Sequence, residues 1–149
     1  VTVTNAAAAG AAVPWTTYEA EDMAGTGTPL GPGYAPNTVE AESSGRRCVK
    51  LASPGQFVEL TAQQPANTLV VRYSMPDAAN GGGIDATVSL YTNGVFAQKL
   101  AVTSAYAWQY GAYSWTNYPA AGSPRNFYDE ARVKGLTINA SDIVRIQKD

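Results

Sequence analysis

Three places in the chain hold side chains able to do chemistry. Glu19 and Glu21 flank Ala20 in Tyr18-Glu19-Ala20-Glu21-Asp22, and on a strand, where side chains alternate, the two carboxylates share one face. Adjacent acids repel unless a cation or a basic neighbour neutralises them. Hard oxygen donors of this kind suit calcium, while a solvated acidic edge is the other reading. The second place is Tyr106, Trp108, Tyr110, Tyr113, Trp115, Asn117 and Tyr118, six aromatic rings within thirteen residues. Flat rings beside an amide suit pyranose sugars, whose C–H faces stack while their hydroxyls seek donors and acceptors. Alternation forbids all of these rings from facing one ligand, so Trp108 or Trp115 can equally serve as a core tryptophan. Tyr34, in a loop, is a further candidate contact for a sugar. The third place is the pair Asp129 and Glu130. Consecutive strand residues point to opposite faces, so these two do not flank one glycosidic bond as an acid/base pair, and an ion pair with Arg132 or Arg125 is the expected role.

Composition removes other chemistries. The chain of 149 residues has no His and one Cys, which excludes Ser-His-Asp and Cys-His nucleophile pairs, the usual Cys/His zinc sites and an internal disulfide. Cys48 reads as a small buried hydrophobe. Ten basic against twelve acidic residues leave a net charge of −2, with Arg46-Arg47 the only basic pair. Nucleic acid is therefore not an expected partner, and no apolar run approaches the ~18 residues of a membrane span. Asn139-Ala140-Ser141 forms an N-glycosylation sequon, meaningful in a host that glycosylates.

The elements that must position these residues are strands. Residues 84–91 alternate apolar with polar, meet Asn93-Gly94, and continue into a second apolar run over 95–100; Asn-Gly supplies the two positive φ angles of a type I′ hairpin turn. Further strands are expected at 15–21, 47–51, 56–60, 69–75, 106–110, 113–115 and 143–147. No window shows a helical stripe. Residues 25–36 and 77–83, rich in Gly and Pro, read as loops. The expected fold is all-β, a jelly-roll-like sandwich of two antiparallel sheets. It would occupy residues 14–149, behind a tail of residues 1–13 that is free of charge and reads as a linker or the remnant of a processed signal.

Tyr18-Glu19-Ala20-Glu21, Ser44-Gly45-Arg46-Arg47 and Gly55-Gln56-Phe57-Val58-Glu59-Leu60 resemble carbohydrate-binding β-sandwiches related to families 6, 35 and 36. Arg72-Tyr73-Ser74-Met75-Pro76-Asp77, Ser89-Leu90-Tyr91-Thr92-Asn93-Gly94 and Asn126-Phe127-Tyr128-Asp129-Glu130-Ala131-Arg132 more closely resemble the sandwich domain preceding the catalytic domain in bacterial α-1,3-glucanase-type enzymes. The resemblance spans residues 14–149. It implies a structural calcium on Glu19 and Glu21, completed by backbone oxygens and an acid from the final strand. Residues 143–146, which follow Asp142, resemble the penultimate strand of that family, so the final strand is expected beyond Asp149.

The function expected on this basis is a non-catalytic carbohydrate-binding or accessory module of a secreted α-glucan hydrolase, with no enzyme activity of this chain alone. Trp108, Tyr110, Tyr113, Trp115, Asn117 and Tyr34 would bind polysaccharide or oligosaccharide, and a catalytic domain of the same protein would be its partner. The alternative is a structural sandwich packed on that domain, binding no sugar.

Overall fold

The computed structural model describes residues 13–35, 38–79, 82–106 and 128–149. Among these the chain is all-β, with nine strands and three three-residue 3-10 turns. The strands are β1 (Ala24–Gly25), β2 (Thr28–Leu30), β3 (Cys48–Lys50), β4 (Phe57–Thr61), β5 (Ala66–Tyr73), β6 (Asp85–Thr92), β7 (Val95–Thr103), β8 (Asp129–Ile138) and β9 (Ile143–Lys148). Every pairing is antiparallel, in a five-stranded sheet ordered β1-β4-β9-β6-β7, a β5-β8 ladder and a short β2-β3 ladder.

The period-two segments form the expected elements. Asn93 and Gly94 both take positive φ, 51° and 79°, and Thr92 pairs with Val95 across a two-residue turn, as a type I′ hairpin requires. In β9, Val144 and Ile146 are buried while Arg145 and Gln147 take the opposite face. The core lies between the sheets. Val58, Leu90, Leu100, Val102 and Ile146 from the five-stranded sheet pack against Ala131 and Val133 of β8, with Leu69, Val71 and Tyr73 of β5 beside them. A second cluster of Leu60, Ala62, Ile138 and Val144 continues it, and Met23, Leu69 and Leu136 touch both. This is the two-sheet antiparallel sandwich that the alternation predicts. The Tyr73 hydroxyl fastens one sheet to the other: it donates to the Thr103 carbonyl and accepts from the Thr103 N–H, both at 3.0 Å.

Several expectations need correction. Residues 15–19 form no strand, and Ala20–Asp22 is a 3-10 turn. The stretch 25–36, read as loop, contributes to β1 and contains β2. Its glycines serve close strand approach: a Cβ on Gly25 would come within 2.3 Å of the Phe57 carbonyl, and one on Gly27 within 2.4 Å of Val49. Pro29 is accommodated because, among the described residues, β2 pairs with β3 alone. Cys48 is half-buried in β3. The Asp77 carboxylate accepts the N–H groups of Ala78 and Gly83, each at 2.7 Å. The strand β8 is not among the strands expected from the sequence. Its buried residues change phase from Ala131 and Val133 to Ile138 across a bulge, and a simple alternation test fails across such a shift.

Candidate functional site

Glu19 and Glu21 are not brought to one strand face. Glu19 precedes the 3-10 turn and Glu21 lies inside it. Both turn toward the segment Ser44–Arg46 instead: Ser44 Oγ donates to Glu19 at 2.8 Å, and a Cβ on Gly45 would stand 3.7 Å from the Glu21 carboxylate. Arg47 reaches Asp22 at 4.0 Å across exposed surface. The strand-face premise for calcium is thereby lost, and among the described residues no three His, Cys, Asp or Glu side chains gather as a metal cage.

Trp108, Tyr110, Tyr113, Trp115, Asn117 and Tyr118 lie outside the described residues, as does Arg125. Tyr106 and Tyr34 lie within them and are both strongly exposed. Among the described residues Asp129 and Glu130 form no ion pair. Asp129 accepts the N–H of Glu130 at 2.7 Å, and Glu130 stands opposite Arg72 in the β5–β8 ladder. Arg72 lies 5.1 Å from the centre of the Tyr128 ring. The Tyr128 hydroxyl is buried with no hydrogen-bond partner among the described residues, and burial, with the adjacent Cys48 thiol, pushes its titration well above the ordinary phenol range.

A polar row that sequence reasoning missed crosses the outer face of the five-stranded sheet. Glu59 of β4, Arg145 of β9 and Tyr91 of β6 stand in register, and Tyr91 pairs with Phe96 of β7. Arg145 Nε donates to Glu59 at 2.7 Å, with side chains 32% and 25% exposed, and its guanidinium lies 3.9 Å from the centre of the Phe57 ring. Gln147 Nε2 reaches the Tyr91 hydroxyl at 3.5 Å. The Tyr91 and Phe96 rings meet edge to face, 5.7 Å apart at 75°. The signal for this row is the register between β4 and β9, which no local pattern carries.

At the end of the row, β7 and β8 border an open cleft of about 350 Å³, lined by Phe96, Gln98, Lys134 and Thr137 among others. Two carboxyls elsewhere are held below the usual carboxylate range. The Asn139 N–H, then the Asn93 amide, hold Asp142 down; the Ser89 hydroxyl, the Thr87 hydroxyl and Lys99 do so for Asp149. A general acid in glycoside hydrolysis needs the opposite displacement, so these two are ionised hydrogen-bond acceptors. No described helix is long and apolar enough to cross a membrane.

The sequence model of the family described as "Alpha-1,3-glucanase catalytic domain D1" matches residues 12–149. A search of curated proteins finds no match. Among solved structures, the chain is similar to the catalytic domain of a GH87 α-1,3-glucanase in complex with nigerose, at 34% identity and a TM-score of 0.78, covering 94% of this chain and 26% of that one. It is similar to the Agl-KA catalytic domain at 33% identity and a TM-score of 0.81, with coverage of 94% and 26%. It is also similar to the catalytic unit of a thermostable GH87 α-1,3-glucanase from Streptomyces thermodiastaticus strain HF3-3, at 38% identity and a TM-score of 0.75, covering 93% of this chain and 24% of that one. The chain thus spans about a quarter of the length of these structures.

These matches bear out the relation to α-1,3-glucanases and to glycoside hydrolases, and they overturn the functional expectation. The matched region is a domain of a catalytic unit, not a non-catalytic carbohydrate-binding or accessory module. The alternative, a structural sandwich that binds no sugar, is likewise unsupported.

Proposed function

Because the chain belongs to the α-1,3-glucanase catalytic domain D1 family, we propose that it forms the D1 portion of the catalytic unit of a secreted glycoside hydrolase that cleaves α-1,3-linked glucan. The observation that carries this reading is the match over residues 12–149, nearly the whole chain. Nigerose in the solved complex of a 34%-identical relative supports an oligosaccharide as the ligand class. The hydrolytic step needs one carboxylic acid to protonate the leaving oxygen and a second carboxylate to activate water or attack. Neither of the two displaced carboxyls in this chain, Asp142 and Asp149, is poised as that acid. In this reading the sandwich is a built-in part of the catalytic unit.

The test is reducing-sugar release from insoluble α-1,3-glucan and from nigero-oligosaccharides by the protein encoded by the complete reading frame, with β-1,3-glucan as control. Release from the α-linked substrates is the expected result. Release from the β-linked control alone, or from none of the three by the folded protein, overturns the reading.

A further inference from the structure

Asn93 is held by main chain and side chain together. Its N–H donates to the Ile143 carbonyl at 2.8 Å. Its Oδ1 accepts the Ile143 N–H at 2.9 Å, and its Nδ2 donates to the Asp142 carboxylate at 2.9 Å. The next residue is Gly94, with φ +79° and nothing within 4 Å of where a Cβ would stand. Both residues are exposed, so water reaches the turn freely. Among the asparagines of the chain only Asn80 and Asn93 precede a glycine, and Asn80 lies outside the described residues.

An asparagine before glycine has a reaction of its own. The following backbone nitrogen can attack the side-chain amide carbon, and glycine offers no Cβ to obstruct that approach. At Asn93 the Gly94 nitrogen gives up its proton to solvent base and bonds to Cγ. The Cγ–Nδ2 bond breaks, and ammonia leaves with a proton from water. The cyclic imide that results takes up one water. Opening on the side-chain carbonyl gives aspartate; opening on the main-chain carbonyl gives its isomer, with the main chain rerouted through Cβ. The sum is amide plus water to carboxylate plus ammonium, with no change of oxidation state.

The fold opposes this reaction at its first step. Ring closure draws Cγ onto the Gly94 nitrogen, which pulls the amide off Ile143 and Asp142 and twists a two-residue turn closed by the Thr92–Val95 pair. Asp142 is ionised, held so by the Asn139 N–H and the Asn93 amide, and has no proton to lend the departing nitrogen. Reaction therefore waits on local opening of the turn. The product cannot close again in the same way. An aspartate lacks the Nδ2 donor and sets a second carboxylate against that of Asp142, where like charges repel. The isomer lengthens the main chain of a turn whose register has no room for an extra atom.

We infer that Asn93 is a site of spontaneous deamidation guarded by its bonds to Asp142 and Ile143, and that each escape from the guard unties the β6–β7 turn from the β8–β9 turn irreversibly. The inference stands on the hairpin and does not depend on the proposed activity.

The experiment incubates the 149-residue chain at mildly alkaline pH, folded in buffer and unfolded in guanidinium chloride. Peptide mass mapping follows the gain of about 1 Da as the amide nitrogen is exchanged for oxygen. In the unfolded chain Asn80 and Asn93 should convert alike, and faster than Asn139, which precedes Ala140. In the folded chain Asn93 should convert more slowly than it does unfolded. Asp142→Ala should speed conversion of folded Asn93 about tenfold, the effect of losing about one hydrogen bond to a charged group. Deuterium exchange at the Ile143 amide should quicken with it, while the Ile146 amide stays slow and shows the sheet intact. Asp142→Asn, which keeps the shape and removes the charge, should move both in the same direction by less. Protein converted at residue 93 should melt at a lower temperature than the parent. The inference is overturned if folded Asn93 converts as fast as unfolded Asn93 or faster. It is equally overturned if Asp142→Ala quickens Ile143 exchange without quickening conversion, or if converted protein keeps both the parent's melting temperature and its protected Ile143 amide.

Discussion

The Asn93 side-chain amide clasps Asp142: Nδ2 donates to the carboxylate across 2.9 Å, and Oδ1 of the same amide accepts the Ile143 N–H, also at 2.9 Å. The other carboxylate oxygen accepts the Asn139 N–H at 2.7 Å. The hairpin turn between β6 and β7 is thereby tied to the turn between β8 and β9. Asn93 is also one of three described non-glycine residues with positive φ. Backbone and clasp separate by substitution. Asn93→Gly removes the clasp and keeps the conformation, whereas Asn93→Ala should cost about 1–2 kcal/mol more because the left-handed region disfavours a Cβ. Urea unfolding of both variants measures the difference.

A second prediction concerns acid. Asp149 accepts hydrogen bonds from Ser89 at 2.5 Å and from Thr87, and pairs with Lys99 at 3.2 Å, which holds its carboxyl below the usual range. A depressed folded-state pKa means that, as pH falls, the unfolded chain takes up its proton first. The stabilisation is complete above the free-Asp value of about 3.9 and drains away as pH falls through it toward the folded-state pKa. Ser89→Ala should therefore lower stability at neutral pH, with the gap to the parent narrowing below about pH 4. Thermal melts at pH 7, 5 and 3 give the result, and a gap that widens on acidification contradicts the assignment.

Arg145 provides a third. Its guanidinium meets Glu59 at 2.7 Å and covers the Phe57 ring at 3.9 Å, two contacts that a compact ammonium cannot reproduce together. Arg145→Lys keeps the charge and should still lose about 1 kcal/mol. A double-mutant cycle with Phe57→Leu should show the stacking part of that loss disappearing.

Leu90 is the most buried of the described core residues, at 1% exposure, and it packs where β6 faces the β5–β8 ladder. Leu90→Ala should cost about 2–5 kcal/mol, the transfer and cavity contribution together. A loss below 1 kcal/mol would mean that the sheets repack around the gap.

What the sequence discloses is what neighbouring residues decide among themselves. The hairpin through Asn93-Gly94 and the strands β4, β5 and β9 carry their alternation within a few positions, so their existence and burial are legible. The turn at Glu19–Asp22 is not, because its partners Ser44 and Arg47 come from a segment more than twenty residues away. β8 is hidden by the bulge that shifts its phase, and β2 by glycines that look like loop residues but let strands approach. The row from Glu59 through Arg145 to Tyr91 and Phe96 arises only once four strands are in register. Membership of a catalytic unit is invisible for a different reason: sandwich motifs are shared by binding modules and by catalytic-unit domains, and the chain spans only about a quarter of its solved relatives.

The position of β9 sets an order of events during folding. It is the last described strand in chain order, yet it lies between β4 and β6, and its Arg145 bonds a residue 86 positions earlier. The hairpin of β6 and β7 closes from local contacts, while β4 must wait with an open flank until β9 slots in and completes the sheet. Loop closure over that separation makes the insertion the slow step, and the waiting flanks are where two immature copies could pair with each other in error. Pulse-labelled hydrogen exchange during refolding should find amides of the β6–β7 hairpin protected before those that β4 shares with β9.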